Sequence, residues 1–268
     1  MTYWHHKAVL ITGGSAGLGL AIAKAFVSAG ANVIVAGRGA EQLRAAVLTL
    51  QEHGEADGVV ADVTDQAQVD AAIAATLERF GQLDVLVNNV GLSMRGEVVH
   101  TPVKDFQRLW ETNFLTVVRC TRAAVPHLLK TRGHIVNIGS LASKTASPLL
   151  GAYPATKFPV AAYSQQLRFE LGPHGIHTLL VCPGPIARDD AGSRYDAQAA
   201  NLPEAARRPG GGAKIKGIRP EVLAEKIVAA CRKRRAELVV PRRAKLLFAI
   251  SQLAPCWGDW IVNKMTSS

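Results

Sequence analysis

Tyr153 and Lys157 stand four residues apart in the run Gly151-Ala152-Tyr153-Pro154-Ala155-Thr156-Lys157. On a helix that spacing sets a phenol and an ammonium on one turn. A neighbouring ammonium favours the phenolate and lowers the phenol's pKa toward the working pH, so the pair predicts a general acid or base acting on a carbonyl or an alcohol. The same spacing also arises in ordinary helices, where it is a half-buried tyrosine beside a solvated lysine. What surrounds the pair decides between the two.

The elements that would position it begin at the other end of the chain. Lys7 to Thr12 is a short apolar run that ends in Gly13-Gly14-Ser15-Ala16-Gly17-Leu18-Gly19, after which Leu20 to Phe26 continues with helical periodicity. Glycines in a strand-to-helix turn let the backbone approach a pyrophosphate, and the helix N-terminus receives its charge. Further apolar runs near 32–37, 58–61, 83–88, 134–140 and 177–182 alternate with helical patterns. Such alternation predicts an α/β fold with a parallel sheet covered on both faces. Ligands on that architecture collect at the carboxyl ends of the strands, where Thr12, Gly37-Arg38, Asp62-Val63, Asn88 to Gly91, Ser140 and Pro183-Gly184 all fall.

Thr12-Gly13-x-x-x-Gly17-x-Gly19, Asn88-Asn89-Val90-Gly91, Asn113, Ser140 and Tyr153-x-x-x-Lys157 occur in an order and spacing that resembles the short-chain dehydrogenase/reductase family, over roughly residues 7 to 240. The resemblance implies a Rossmann-type, doubly wound, mainly parallel sheet, a nicotinamide cofactor and hydride transfer to or from a ketone. It implies that Tyr153 is the general acid or base, that Ser140 holds the substrate oxygen, that Lys157 tunes Tyr153 and binds the nicotinamide ribose, and that the Asn113 carbonyl holds a relay water. It places Gly13, Ser15, Gly17, Leu18, Gly19, Asn89, Gly91, Pro183, Gly184 and Ile186 along the cofactor. Asp62 and Val63 resemble the pair that meets adenine, although Asp62 also suits a helix N-cap. Arg38 follows the second strand where an acidic residue would hold ribose hydroxyls. A guanidinium there suits a 2′-phosphate instead, so NADP(H) is expected in preference to NAD(H). Val90 replaces the usual alanine, Gly139 precedes Ser140, and Arg188 replaces a hydroxyl residue; Arg188 suits a pyrophosphate, a substrate anion or water equally. Pro159 lacks an amide and is expected to bend the helix just beyond Lys157.

A chain of 268 residues with 48% hydrophobic and 19% charged residues suits one globular domain and argues against extensive disorder. We expect a single domain over 1–241, with a substrate lid at 188–217 where the sequence becomes small, polar and glycine-rich, and a C-terminal amphipathic tail at 242–268. Cys120, Cys182, Cys231 and Cys256 are scattered, so neither a metal site nor a disulfide framework is signalled. His5-His6 reads as a frayed terminus in preference to a metal pair. Met1 to His6 is too short and polar for a secretory leader, which makes the expected location cytoplasmic.

The net charge of +10 is local, because positions 200–245 hold 13 basic and 4 acidic residues. Solvated helix ends, an anionic membrane surface and nucleic acid each account for such a stretch. No aromatic residues interleave the charges as a base-stacking surface requires, so no nucleic-acid partner is expected. Leu246, Ile250, Leu253, Trp257 and Trp260 recur at spacings of four, three, four and three along one helical face. That face suits a peripheral anionic membrane contact, the pocket, or a second subunit of a homodimer or homotetramer; Pro255 and Asp259 argue against a membrane span. Met94, Leu141, Leu149 and Leu150, with Arg95, Lys144 and Arg188 as the nearby charges, predict a hydrophobic, lipid-like ketone or secondary alcohol. The competing readings are a non-catalytic NADP(H) sensor and a membrane-surface scaffold.

Overall fold

The computed structural model describes residues 2–188, 193–208, 210, 212 and 216–266. The elements run β1 Ala8–Thr12, α1 Gly17–Ser28, β2 Asn32–Gly37, α2 Ala40–Gln51, β3 Ala56–Val60, α3 Gln66–Phe80, β4 Val85–Asn88, α4 Val103–Trp110, α5 Thr116–Thr131, β5 His134–Ile138, α6 Tyr153–Leu171, β6 His177–Pro183, α7 Asp196–Ala199, α8 Pro220–Arg232, β7 Glu237–Val240, α9 Ala244–Leu253 and α10 Pro255–Thr266. The strands form one sheet in the order β3-β2-β1-β4-β5-β6-β7. Every pairing in it is parallel. Strand order therefore reverses between β1 and β4, which opens the crevice there.

Alternation along each strand divides the core in two. Val9 and Ile11 of β1 face a layer built with Ile22 and Phe26 of α1 and with Leu223 and Ile227 of α8. Leu10 faces the opposite layer, with Val69 and Ile73 of α3 and Leu128 of α5. Burial on both faces explains why these strands read as unbroken apolar runs. The expected β3 begins earlier, at Ala56, and β7 extends the sheet beyond the six expected strands. Pro159 lies inside α6, which continues from Tyr153 to Leu171 without interruption. Its missing amide affects the carbonyl four residues back, at Ala155, which is exposed and therefore open to water.

At the amino ends of the strands, a hydrogen-bonded chain holds the base of the sheet. The Tyr3 hydroxyl is 2.8 Å from His134 Nε2, His134 Nδ1 is 3.0 Å from His177 Nδ1, and His177 Nε2 is 2.8 Å from the Arg235 carbonyl. A carbonyl only accepts, so His177 Nε2 carries its proton, His134 Nδ1 donates, and Tyr3 donates to His134 Nε2. The buried Cys231 brings a sulfur within 4.8 Å of this pair. All four imidazole nitrogens are nonetheless already engaged, and the group reads as a satisfied polar core.

Burial and the facing ring push His134 down to about 3, and burial pushes His177 down to about 4, from 6.5. The unfolded chain therefore binds more protons below pH 6.5, and the stability these rings hold at neutral pH is lost as pH falls toward 4. By pH 5 the loss is on the order of 2 kcal/mol per histidine. Calorimetric melting should show Tm declining from about pH 6.5 downward, and a flat Tm between pH 7 and 5 would contradict the neutral, buried pair.

Candidate active site

The crevice is built from backbone first. Gly13 and Gly17 have φ of 63° and 52°, the left-handed region that favours glycine. A Cβ on Gly17 would meet nothing within 4 Å, whereas a Cβ on Gly19 would overlap the Gly13 carbonyl. Space is thus left open in front of Gly17 and closed behind it. The N-cap of α1 is Ala16, which offers no side-chain cap, so the first amides of the helix face the crevice without a resident acceptor from that position. This cradle fits a dinucleotide pyrophosphate.

Asn89 secures the turn from across the switch point. Its amide donates to the Thr12 and Gly13 carbonyls at 3.1 and 3.0 Å, and its backbone N–H donates to Thr12 Oγ1 at 3.1 Å. At the rim, Arg38 and Asp62 come within 3.7 Å of each other, and the Arg38 side chain is 75% exposed. Ser15 lies beside the end of β2, its hydroxyl 3.0 Å from where a Gly37 Cβ would stand. Asp62 accepts from the Thr64 N–H and hydroxyl at 3.0 and 2.8 Å, and the Thr64 amide holds its carboxyl below the usual range. The N-cap of α3 is Asp65, not Asp62. Val63 is buried against that layer of the core.

Ser140 leaves β5 and starts a single 3₁₀ turn, Leu141–Ser143, where its Oγ accepts from the Ala142 N–H at 3.1 Å. Its hydroxyl lies on the Tyr153 side of the cavity, at the start of α6, and favours the phenolate there. Lys157 is buried and donates to the Ile138 carbonyl at 3.0 Å. Gly91 stands so close that a Cβ there would fall 3.1 Å from Lys157 Nζ and 3.2 Å from Asn113 Oδ1.

The electrostatics differ from the sequence expectation. Burial raises the Tyr153 pKa, against the Ser140 hydroxyl and the nearby charges of Arg95 and Arg188, which lower it. The Lys157 ammonium is turned to the Ile138 carbonyl. Burial in turn lowers Lys157 to about 8.

Asn113 is fully buried in a π turn, Glu111–Leu115, that widens the passage from α4 to α5. Its Oδ1 accepts from the Leu92 N–H at 2.6 Å, while Nδ2 donates to the Leu92 carbonyl at 2.8 Å and Thr156 Oγ1 at 2.9 Å. The side chain thereby ties the loop after β4 to α6, one residue from Lys157.

Beyond β6, Gly184 donates its amide to Val240 at 2.7 Å, and Ile186 bridges to Ile218. Leu18, Pro183, Gly184 and Ile186 line a cavity of about 250 Å³ together with Ser140, Tyr153 and Lys157. Leu141 and Leu150 are in its wall as expected, but Lys144 pairs with Glu237 at 3.0 Å. Within the expected lid, residues 189–192, 209, 211 and 213–215 lie outside the described residues.

Sequence reasoning missed the fastening of 193–208. Arg95 is buried, donates Nε to the Ala206 carbonyl at 2.7 Å and Nη2 to the Arg208 carbonyl at 3.3 Å, and lies 3.7 Å above the Tyr195 ring. Its backbone N–H donates to Gln198 at 2.8 Å. A lone arginine in a loop carries no sequence signal of such a role. Leu247, Val262 and Met265 of the tail also reach the cavity.

A doubly wound parallel sheet with this glycine cradle at its switch point defines a dinucleotide-dependent class of enzyme. The family described as short chain dehydrogenase matches residues 7–199. Dehydrogenase/reductase SDR family member 7B of Xenopus tropicalis is 32% identical over 253 residues, covering 89% of this chain and 78% of that protein. The 2-(R)-hydroxypropyl-CoM dehydrogenase of Xanthobacter autotrophicus is 41% identical over 187 residues, covering 67% and 74%. L-Sorbose reductase from Gluconobacter frateurii, solved with NADPH and L-sorbose, superposes with a TM-score of 0.77 at 26% identity, covering 88% of this chain and 95% of that one. The chain belongs to the short-chain dehydrogenase family and is an oxidoreductase acting on CH–OH groups.

Replacing Arg95 with alanine should free 193–208. Amide exchange in that segment is expected to rise at least about tenfold, while β1 is unaffected. Unchanged exchange there would show that other contacts hold it.

Proposed function

We propose that the chain is an NADPH-dependent carbonyl reductase, running in reverse as an alcohol dehydrogenase, for a hydrophobic, lipid-like ketone or secondary alcohol. The observation that carries this reading is that Ser140, Tyr153 and Lys157 line one cavity together with Leu18 of the glycine turn. A non-catalytic NADP(H) sensor would have no use for that grouping.

Gly13, Gly17, Leu18 and Gly19 would hold the pyrophosphate. Arg38, with Ser15, would fork onto a 2′-phosphate; its exposed, 3.7 Å contact with Asp62 is weak and costs little to give up. Asp62 and Val63 would meet the adenine. Asn89, Gly91 and Lys157 would face the nicotinamide ribose, and Pro183, Gly184 and Ile186 the carboxamide. When bound, NADPH supplies the hydride to the carbonyl carbon.

Ser140 donates a hydrogen bond that holds and polarises the substrate oxygen. Tyr153 gives that oxygen its proton, and its raised pKa keeps the phenol protonated at neutral pH. The same shift favours reduction near neutrality and requires alkaline pH for oxidation, where a phenolate must accept the alcohol proton. Asn113 positions the loop after β4 against α6, and its carbonyl would hold the water that returns a proton to Lys157.

Exposed Trp110, Phe158 and Phe169 support a homodimer or homotetramer. Among the described residues no helix is long and apolar enough to cross a membrane. We read the enzyme as cytoplasmic, without a nucleic-acid partner.

Tyr153→Phe should lower turnover of a lipophilic ketone by about 10²- to 10⁴-fold, with NADPH affinity nearly unchanged. Retained turnover would remove Tyr153 from the chemistry.

A further inference from the structure

The tail expected to form one amphipathic helix is two helices, α9 and α10, broken at Ala254 ahead of Pro255. They pack closely, since a Cβ on Gly258 would fall 2.6 Å from Ser251 Cα. At 3.6 residues per turn, Gly258, Val262 and Met265 share one face of α10, and Val262 and Met265 line the cavity. Trp257, Trp260 and Lys264 share the other face, where the two indoles are 74% and 63% exposed. On α9, Ala244 and Phe248 are buried, whereas Leu246 and Leu253 are 68% and 87% exposed. The hairpin thus roofs the cavity with one side and turns an apolar side outward.

We propose that this outward side docks on an anionic lipid surface, with Leu253, Trp257 and Trp260 entering the headgroup boundary and the cations around them meeting lipid phosphates. Two exposed tryptophans with aliphatic neighbours are the composition that seats at a bilayer interface. Lys264 lies along the Trp260 ring, its Nζ 5.1 Å from the ring centre, which keeps its charge beside the apolar face. Arg242, Arg243 and Lys245 are exposed at the start of α9. Arg232 to Arg235 lie beyond the other end of β7, about 13 Å of strand away, and are not needed for the contact.

A second copy of the chain suits the face less well. A two-fold contact uses the same patch twice, so Lys264 and its basic neighbours would oppose like charges. A lipid surface instead supplies the opposite charge and the apolar layer together. The docking stands without the reductase reading. Entry of a bilayer-dissolved ketone beneath the roof rests on that reading.

The full chain should be floated with phosphatidylglycerol vesicles and with phosphatidylcholine vesicles, at low and at high salt. Flotation with the anionic vesicles, weakened by salt and lowered at least about tenfold in Trp257→Ala/Trp260→Ala, is the expected result. Arg242→Gln/Arg243→Gln/Lys245→Gln should lower anionic binding while leaving the weaker binding to phosphatidylcholine unchanged. No flotation by the wild type, or equal flotation by the double tryptophan variant, would overturn the proposal. Conversion of a dimer to a monomer by the tryptophan changes, seen in sedimentation velocity, would overturn it in favour of a contact between copies. Since flotation needs no turnover, its failure is distinct from any failure of the catalytic reading.

Discussion

Where β1 and β4 lie side by side, the chain leaves them in opposite directions, and the Asn89 side chain bridges the gap that results. Its amide takes the Thr12 and Gly13 carbonyls just as they leave the sheet. Without that bridge two carbonyls would lose their side-chain donor at the mouth of the crevice, a cost of about 1–3 kcal/mol each where the oxygen is shut off from water. The glycine turn, the uncapped start of α1 and the floor of the cavity all depend on this local satisfaction. The neighbouring Asn88 extends it by donating to Asn137 and Thr121, and Asn137 passes it to Ser164 of α6. Buried amides thus connect the switch point to the helix that carries Tyr153 and Lys157.

Burial governs the chemistry of that helix more than the pairing of its two side chains. It raises the phenol above its ordinary 10.0 and lowers the ammonium from 10.5 to about 8, so the order of their proton affinities is reversed and the lysine gives up its proton first. The described cavity wall includes Arg95, Lys157, Arg188 and Arg194 but no aspartate or glutamate. Its field therefore favours phosphate and phenolate alike. Arg95 joins this field to geometry, since the cation that acts on Tyr153 also fastens 193–208 over the site.

Six strands were legible because each is an apolar run between turn signals. β7 was not, because Glu237–Val240 is four residues between two basic clusters and has no room for a pattern. The glycine turn, Asn89, Ser140, Tyr153 and Lys157 were legible as motif residues, and the crevice brings them together. The direction of the Tyr153 shift was not, because spacing along a helix says nothing of which acceptor the ammonium finds. Asn113 stood out as an asparagine in a helical stretch, yet the π turn around it has no distinct composition. The tail's period of three and four was real, but Pro255 divides it into two helices whose inner faces close the cavity.

Arg38 is proposed to read the 2′-phosphate of NADP(H) in this crevice, and titration of the purified chain with NADPH, and separately with NADH, decides the matter. Energy transfer from tryptophan to the reduced nicotinamide reports binding. Saturable transfer is expected with NADPH, at an affinity at least about tenfold above that for NADH, as a forked arginine–phosphate contact provides. Equal affinities would remove Arg38 from the recognition of the phosphate, and binding of neither nucleotide would contradict the assignment of the crevice.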